Sequence, residues 1–330
     1  MRSEPLVTII TPSFNSGRFI EQAIQSVLQQ DYPRIEYLVV DGGSTDETLA
    51  ILTREGRRVQ FLSGSDSGCA DAVNRGFAQT RGDILAWLNA DDYYLPGAVS
   101  AAVDALAANP AVGAVYAEGF WVNETGEVLG RYPTVQPYDA RMWSQECAIC
   151  QPTCFFRRSA YNALGGIDIA LKSAFDYDFW IRMAQLYRFT SIPTYAAASR
   201  MHPRNLSLGR RDLVFQESLQ LLKRHYGYIP LKWIYGATQY SRDRRDQFFQ
   251  PLHISLSTFL ASLPVGLYHN SQHPIRYFGE FFSKITMGNI AFYLRSFFKE
   301  SLQRKGETSS SSTITSGAED PMPKIPLGSG

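Results

Sequence analysis

The chain has 330 residues, a formal net charge of +1 at pH 7, and 45% hydrophobic against 19% charged residues. That length suits one sizeable core domain with an extension, and the near-balanced charge gives no reason to expect nucleic acid as a partner. Met1-Arg2-Ser3-Glu4-Pro5 leads directly into an apolar run without a signal-peptide pattern, so the expected location is the cytoplasm, with the cytoplasmic face of a membrane included. The four cysteines, Cys69, Cys147, Cys150 and Cys154, are expected to be reduced there. Cys147, Cys150 and Cys154 have no fourth zinc ligand nearby in sequence, so buried structural thiols are the favoured reading.

Leu6-Val7-Thr8-Ile9-Ile10 reads as a buried strand that runs into Thr11-Pro12-Ser13-Phe14-Asn15, after which Phe19, Ala23, Ile24, Val27 and Leu28 recur at helical spacing. A second apolar strand over 35–40 is followed at once by Asp41-Gly42-Gly43-Ser44-Thr45-Asp46-Glu47-Thr48 and another helix. Gly42 and Gly43 let the chain turn tightly and approach a ligand, while Ser44-Thr45-Asp46-Glu47 is also a capping box for that helix. A further strand, Ile84-Leu85-Ala86-Trp87-Leu88, ends abruptly in Asn89-Ala90-Asp91-Asp92. Neighbouring carboxylates repel, so the cluster belongs at an open sheet edge or beside a cation; the alternative is a polar turn in which Asp91 or Asp92 caps the next helix. This alternation predicts an α/β fold with an open, mostly parallel sheet flanked by helices. Ligands bind such sheets beyond the carboxyl ends of the strands, where Asn15, Asp41 and Asp91 fall.

Beyond Asn205 the pattern changes. Residues 213–225 are helical by period, and 254–267 are apolar but too short to cross a membrane and interrupted by Pro264. Residues 275–299 carry Phe278, Phe281, Phe282, Ile285, Ile290, Tyr293, Leu294, Phe297 and Phe298, interspersed with Arg276, Lys284, Arg295 and Lys299. Such an aromatic, basic pattern either makes peripheral contact with an anionic membrane or packs on the core or a partner. Residues 306–330, rich in Ser, Thr, Gly and Pro, read as a disordered tail. The expected division is therefore a first domain over 1–205, a mainly helical, aromatic-rich C-terminal extension over 206–305, and the tail.

Thr11-Pro12-Ser13-Phe14-Asn15, Val39-Val40-Asp41-Gly42-Gly43-Ser44-Thr45-Asp46, Ser65-Asp66-Ser67-Gly68 through Ala72-Val73-Asn74-Arg75-Gly76, and Leu88-Asn89-Ala90-Asp91-Asp92 together resemble family 2 inverting glycosyltransferases of the GT-A fold, the nucleotide-diphospho-sugar transferase superfamily. The likeness is specific in order and spacing. Gln151-Pro152-Thr153-Cys154-Phe155-Phe156-Arg157-Arg158, Leu164-Gly165-Gly166-Ile167-Asp168 and Asp176-Tyr177-Asp178-Phe179-Trp180-Ile181-Arg182 are similar to the family's acceptor-side segments, and after residue 205 the likeness fades. The resemblance implies that 1–205 is a GT-A catalytic domain moving a sugar from a nucleoside diphosphate sugar, a UDP-sugar being favoured, to a glycan or lipid-linked glycan acceptor in polysaccharide or cell-surface glycan biosynthesis. It further implies nucleotide-sugar binding by Thr11, Pro12, Asn15, Asp41, Asp66, Asn74, Asn89 and Asp91. A divalent metal, Mg²⁺ or Mn²⁺, is implied at Asp91 and His202, with Asp176 as general base.

The residue types suit these tasks. Carboxylates such as Asp41 and Asp66 accept hydrogen bonds from a base N–H or ribose hydroxyls. A hard cation takes oxygens from one or two carboxylates and from the phosphates, and Arg200 and Arg204 are candidates for phosphate oxygens. A carboxylate opposite the leaving group takes the acceptor proton in an inverting displacement. Two residues depart from the family's common pattern: Asn89 stands where an acid is most often found, and Phe175 where a Glu commonly precedes the base. Phe175 suggests a drier pocket and a raised pKa for Asp176. The competing reading has Asp176 capping the helix that carries Phe179, Trp180 and Met183, with Asp178 stabilising its first turn. The two departures keep an inactive nucleotide- or sugar-binding subunit in view. Against a nucleotidyltransferase or dinucleotide enzyme on a similar sheet, Asp41-Gly42-Gly43-Ser44 lacks the Gly-x-Gly-x-x-Gly spacing.

Overall fold

Strand β1 (Val7–Ser13) is buried at all seven positions, as a strand covered on both faces must be. The computed structural model, which describes residues 4–244 and 255–285, builds outward from it. The first half repeats strand and helix: α1 (Ile20–Leu28), β2 (Ile35–Asp41), α2 (Thr48–Glu55), β3 (Gln60–Ser63), α3 (Cys69–Ala78) and β4 (Ile84–Trp87). Then come β5 (Tyr93–Tyr94), α4 (Ala98–Ala108), β6 (Val112–Val122), β7 (Val128–Arg131), α5 (Met142–Gln145), β8 (Phe155–Arg157), α6 (Arg158–Ala163), α7 (Phe175–Leu186) and β9 (Arg188–Arg200). Helices α8 (Leu206–Gly209), α9 (Arg211–Tyr226), α10 (Leu231–Asp243), α11 (Leu256–His269) and α12 (Pro274–Ser283) complete the described chain.

The strands form one nine-stranded sheet in the order β3-β2-β1-β4-β8-β6-β9-β5, with β7 paired to β6. The period of two divides its residues between two cores. Val7, Ile9, Val39, Ile84 and Ala86 face Ile24, Leu52 and Val103 of α1, α2 and α4, while Ile10, Val40, Leu85 and Trp87 face Val73, Phe77 and Trp180 of α3 and α7. The expectation of a mostly parallel sheet holds for β3, β2, β1 and β4. It holds again for the long β6–β9 pair, while β8 runs antiparallel to both β4 and β6, β5 antiparallel to β9, and β7 antiparallel to β6. The three-residue β8 wedges between two longer strands, reversing direction where the simple strand–helix repeat stops.

The C-terminal helices share the second core. Leu221, Leu222, Ile234, Phe259, Tyr277 and Phe281 belong to the same apolar cluster as Phe179 and Trp180. Pro264 does not interrupt the apolar segment, since α11 continues through it. The loss of one helical hydrogen bond is offset by packing: Gly266 leaves room for the Tyr277 ring, whose hydroxyl donates to the Ser262 carbonyl at 3.0 Å. Among the described residues no helix is long and apolar enough to cross a membrane. Of the 275–299 pattern, residues 275–285 are described, and they split. Tyr277 and Phe281 are core, whereas Ile275, Phe278, Phe282 and Ile285 are exposed. The remainder of that pattern and the tail over 306–330 lie outside the described residues.

Candidate active site

Strands β1, β2 and β4 all deliver their carboxyl ends to one edge of the sheet, where Ser13 stands opposite Asp41. Asp41 is 1% exposed, and its carboxylate accepts from Gly43 N, Ser44 N, Ser44 Oγ and Ser63 Oγ. It therefore organises the turn. Ser44 also accepts from Asn15 N at 2.7 Å, and Asn15, at a left-handed φ of 49°, accepts Thr45 N through its side chain at 2.8 Å. The capping-box expectation is thereby corrected: the N-cap of α2 is Glu47 without a side-chain bond, and Thr48 N donates to Asp46 instead. The Ser44 hydroxyl instead donates to Asp41 and accepts from Asn15 N, so it is engaged across the turn. Gly42 is where the next carboxylate comes close, since a Cβ there would lie 2.8 Å from Asp66 Oδ2. Asp66 in turn accepts Gly68 N at 2.8 Å.

After β4 the acidic cluster splits into two roles. Asp92 is buried and accepts Arg200 N at 2.8 Å and Asn89 Nδ2 at 3.3 Å. Burial, reinforced by the adjacent Asp91 charge, pushes its carboxyl well above the usual carboxylate range. Asp91 turns toward His202, whose Nε2 lies 3.1 Å from Asp91 Oδ2. The His202 ring is also packed on Phe19, with centroids 4.9 Å apart. Neither Asp91 nor Asp92 caps the following helix, because Gly97 occupies the N-cap of α4. Asn89 donates to Gln151 Oε1 at 3.1 Å, and Gln151 donates to the Trp87 carbonyl at 2.8 Å. The neutral amide thus joins the cluster to the chain just ahead of β8.

Arg200 was a candidate for phosphate oxygens, and the structure corrects that. Its guanidinium is buried and donates to Asp91 O, Asn123 O, Glu124 O and Gln22 Oε1. It also lies over the Phe19 ring at 4.7 Å. Arg204 is exposed.

Asp176 is the second residue of α7, partly covered, and its Oδ1 accepts Tyr177 N at 2.7 Å. Burial first, and then the charge of Glu217, raise its pKa to about 6. Asp176 is not the cap of α7; that position is Ala174. The carboxylate that serves the turn before the helix is Glu217 of α9, which accepts Lys172 N, Ser173 N and Ala174 N at 2.8–2.9 Å. Asp178 also differs from a simple first-turn residue. It is buried between Arg182 Nε at 2.6 Å and His225 Nε2 at 2.9 Å. Phe175 points into the core near Trp87, at 6.4 Å between rings.

Cys69, which opens α3, ties these parts together. Its burial, then the charges of Asp91, Asp176, Asp66 and Asp92, push the thiol pKa up. Asp66, Asp91 and Asp176 therefore border one region, with Asn89 Oδ1 3.9 Å from Cys69 Sγ. Two expected binding residues face elsewhere. The Thr11 hydroxyl bonds Tyr37 OH at 3.0 Å inside the core, and the Asn74 amide is engaged with Tyr161 OH and with both N and O of Ile167. Pro12 is buried within β1. Glu217 escaped the sequence reading, because nothing in its local spacing marks a partner so distant in the chain, and Gln151 was placed in a family-like segment without its bonds to Asn89 and Trp87 being foreseen.

Residues 8–165 match the family model described as Glycosyl transferase family 2. A chondroitin synthase of Escherichia coli is 26% identical over 259 residues, spanning 74% of this chain and 37% of that protein. An uncharacterized glycosyltransferase of Rickettsia prowazekii is 29% identical over 201 residues, spanning 57% of this chain and 60% of that protein. The chain thus spans less than two thirds of either relative's length. Among solved structures, S. aureus TarS 1-349 in complex with UDP superposes with a TM-score of 0.57 at 17% identity, covering 91% of this chain and 92% of that one. Mannosyltransferase PcManGT from Pyrobaculum calidifontis, in complex with GDP-Man and Mn²⁺, gives 0.53 at 19% identity, covering 93% and 88%. Both share the GT-A fold with this chain.

The Arg200 geometry yields the first prediction. Lysine cannot serve four acceptors in three directions, and each buried acceptor left without a donor costs about 1–3 kcal/mol. Arg200→Lys is expected to lower the unfolding free energy by about 2–4 kcal/mol in a urea titration.

Proposed function

We propose that this chain, whose residues 8–165 belong to glycosyl transferase family 2, moves a sugar from a nucleoside diphosphate to an acceptor hydroxyl with inversion at the anomeric carbon. The observation that carries the reading is Asp176, a carboxyl raised to about 6 in the same region as Asp66 and Asp91. A base poised near neutral pH takes a proton efficiently. In the reaction, Asp176 accepts the acceptor's hydroxyl proton as that oxygen forms its bond to the anomeric carbon. The carbon–oxygen bond to the diphosphate breaks on the opposite face, and the electron pair leaves with the nucleoside diphosphate. Asp66 and the loop organised by Asp41 and Asn15 serve the nucleoside side.

The donor set at the diphosphate suits a hard divalent cation, because Asp91 presents a carboxylate and His202 an imidazole at the same point. Such a cation, Mg²⁺ or Mn²⁺, when bound, neutralises charge on the departing diphosphate. Asn89 adds no charge to the set, so cation affinity leans on the nucleotide's own phosphates. A UDP-sugar is favoured as donor by family resemblance, consistent with the UDP named for the TarS structure, and a glycan or lipid-linked glycan as acceptor. Polysaccharide or cell-surface glycan synthesis at the cytoplasmic side is the corresponding role. Phe175, which stands where a Glu commonly precedes the base, packs in the core near Trp87 and leaves the Asp176 carboxyl itself in place, so the transferase reading is kept over an inactive subunit.

We also assign the exposed side of α12 to peripheral contact with an anionic membrane. Ile275, Phe278, Phe282 and Ile285 recur along one stripe, and Arg276 and Lys284 flank it. The helix's acid, Glu280, is turned inward to Tyr228 OH and Leu231 N. Arg276 lies over the same Tyr228 ring at 3.8 Å, so the stripe that α12 turns outward is chiefly apolar, the kind of face an amphipathic helix lays on a membrane surface.

Three measurements test these assignments. Asp176→Asn should lower kcat by a factor of about 10² to 10⁴ with nucleotide affinity retained. The wild-type kcat should rise with pH through about 6, because the carboxyl must be ionised to accept a proton; a product of retained configuration by NMR would refute the base. Chelation and Asp91→Ala should each weaken nucleotide binding in calorimetry, and unchanged affinity in both would remove the metal assignment. Phe278→Ser with Phe282→Ser should reduce sedimentation with anionic vesicles, as should added salt. Phe281 is unsuitable for that test because it is core.

A further inference from the structure

We infer that Glu217 is a positioning residue for the reaction, holding the turn from which the base-bearing helix α7 starts; this rests on the assignment of Asp176 as base. Glu217 is buried on α9, outside the segments that carry the family likeness. Its Oε1 accepts Lys172 N at 2.9 Å, and its Oε2 accepts Ser173 N at 2.9 Å and Ala174 N at 2.8 Å. Ala174 is the N-cap of α7, and Asp176 lies two residues on. Three successive N–H groups entering that helix thus converge on one carboxylate from a different element. A carboxylate offers acceptors only, whereas Gln would turn its NH₂ toward an N–H donor. Bonds to the ionised group are also shorter and stronger than neutral ones.

The same turn reaches the donor side. Lys172 Nζ donates to the Ser67 carbonyl at 2.8 Å, within the loop that carries Asp66. The turn that Glu217 holds is thus also tied to the donor loop, through the exposed Lys172 side chain. A second effect is electrostatic. The titratable groups that interact with Asp176 are Glu217 from α9, Cys69 from α3, Cys147 from the segment after α5, and Tyr132 after β7. Burial raises the two thiols and the phenol, and after burial itself it is Glu217 that raises the Asp176 pKa.

The test compares kcat–pH profiles, donor KM and thermal unfolding of wild type, E217Q and E217D. E217Q should lower kcat by about 10- to 100-fold, the cost of a small misplacement of a reacting group, with donor KM within about threefold. Its acid limb should move to lower pH, because removing the neighbouring negative charge lowers the Asp176 pKa. A lowered melting temperature with kcat and limb both unchanged would make Glu217 a helix cap only and overturn the proposal. Should E217Q fail to fold, E217D carries the test. The shorter acid keeps the charge but withdraws from the turn, so kcat falls while the limb stays in place, and an unchanged kcat overturns the proposal. Retained transfer by Asp176→Asn is a separate result, removing the base and this inference with it.

Discussion

The Arg200 guanidinium is shut away from water, so its N–H groups must find acceptors inside the protein, and the acceptors it finds belong to three separate stretches of chain. One is the backbone of Asp91, another the turn after β6 at Asn123 and Glu124, and the third Gln22 of α1. Its own backbone N–H meanwhile fixes the Asp92 carboxyl. A cation that cannot be deprotonated is a demanding tenant of a core, and satisfying it leaves Asp91 one direction in which to face. That direction is His202, two residues further along the same strand exit.

The acceptor half is held by an analogous device of opposite charge. Glu217 draws together the three N–H groups ahead of α7, and His225 of the same helix bonds Asp178. The helices after residue 205 thus do more than cover an apolar face. They share the core with α7 and supply polar groups that fix where it begins, so a boundary drawn where family likeness fades does not coincide with a boundary in packing.

Much of this was legible in the residues, for reasons that can be named. β1, β2 and β4 are buried on both faces and so appear as unbroken apolar runs, and a polar cluster after such a run has to sit at the strand's carboxyl end. Asn15, Asp41, Asp66, Asp91 and the start of α7 accordingly lie at the expected ends of their elements. The inward turn of the Thr11 hydroxyl against Tyr37 was not legible, because it depends on the strand continuing to Ser13 with its period of two. The antiparallel insertion of β8 was not legible, since three residues carry too little pattern to fix a direction. Nor were the partners of Arg200 and Glu217, whose bonds join residues tens of positions apart. An isolated charged residue reads as surface until its burial is known.

Cys69 presents a question of chemical selectivity. Sulfur is a better nucleophile than a hydroxyl oxygen toward many carbon electrophiles, but only as the thiolate. In a region bordered by Asp66, Asp91, Asp92 and Asp176, burial first, and then the charges that suit a cation and a proton acceptor, hold this thiol in its neutral form. On the proposed reading, the carboxylates that serve sugar transfer also help to quiet this sulfur, so that the chain is a poor competitor for the sugar it hands on.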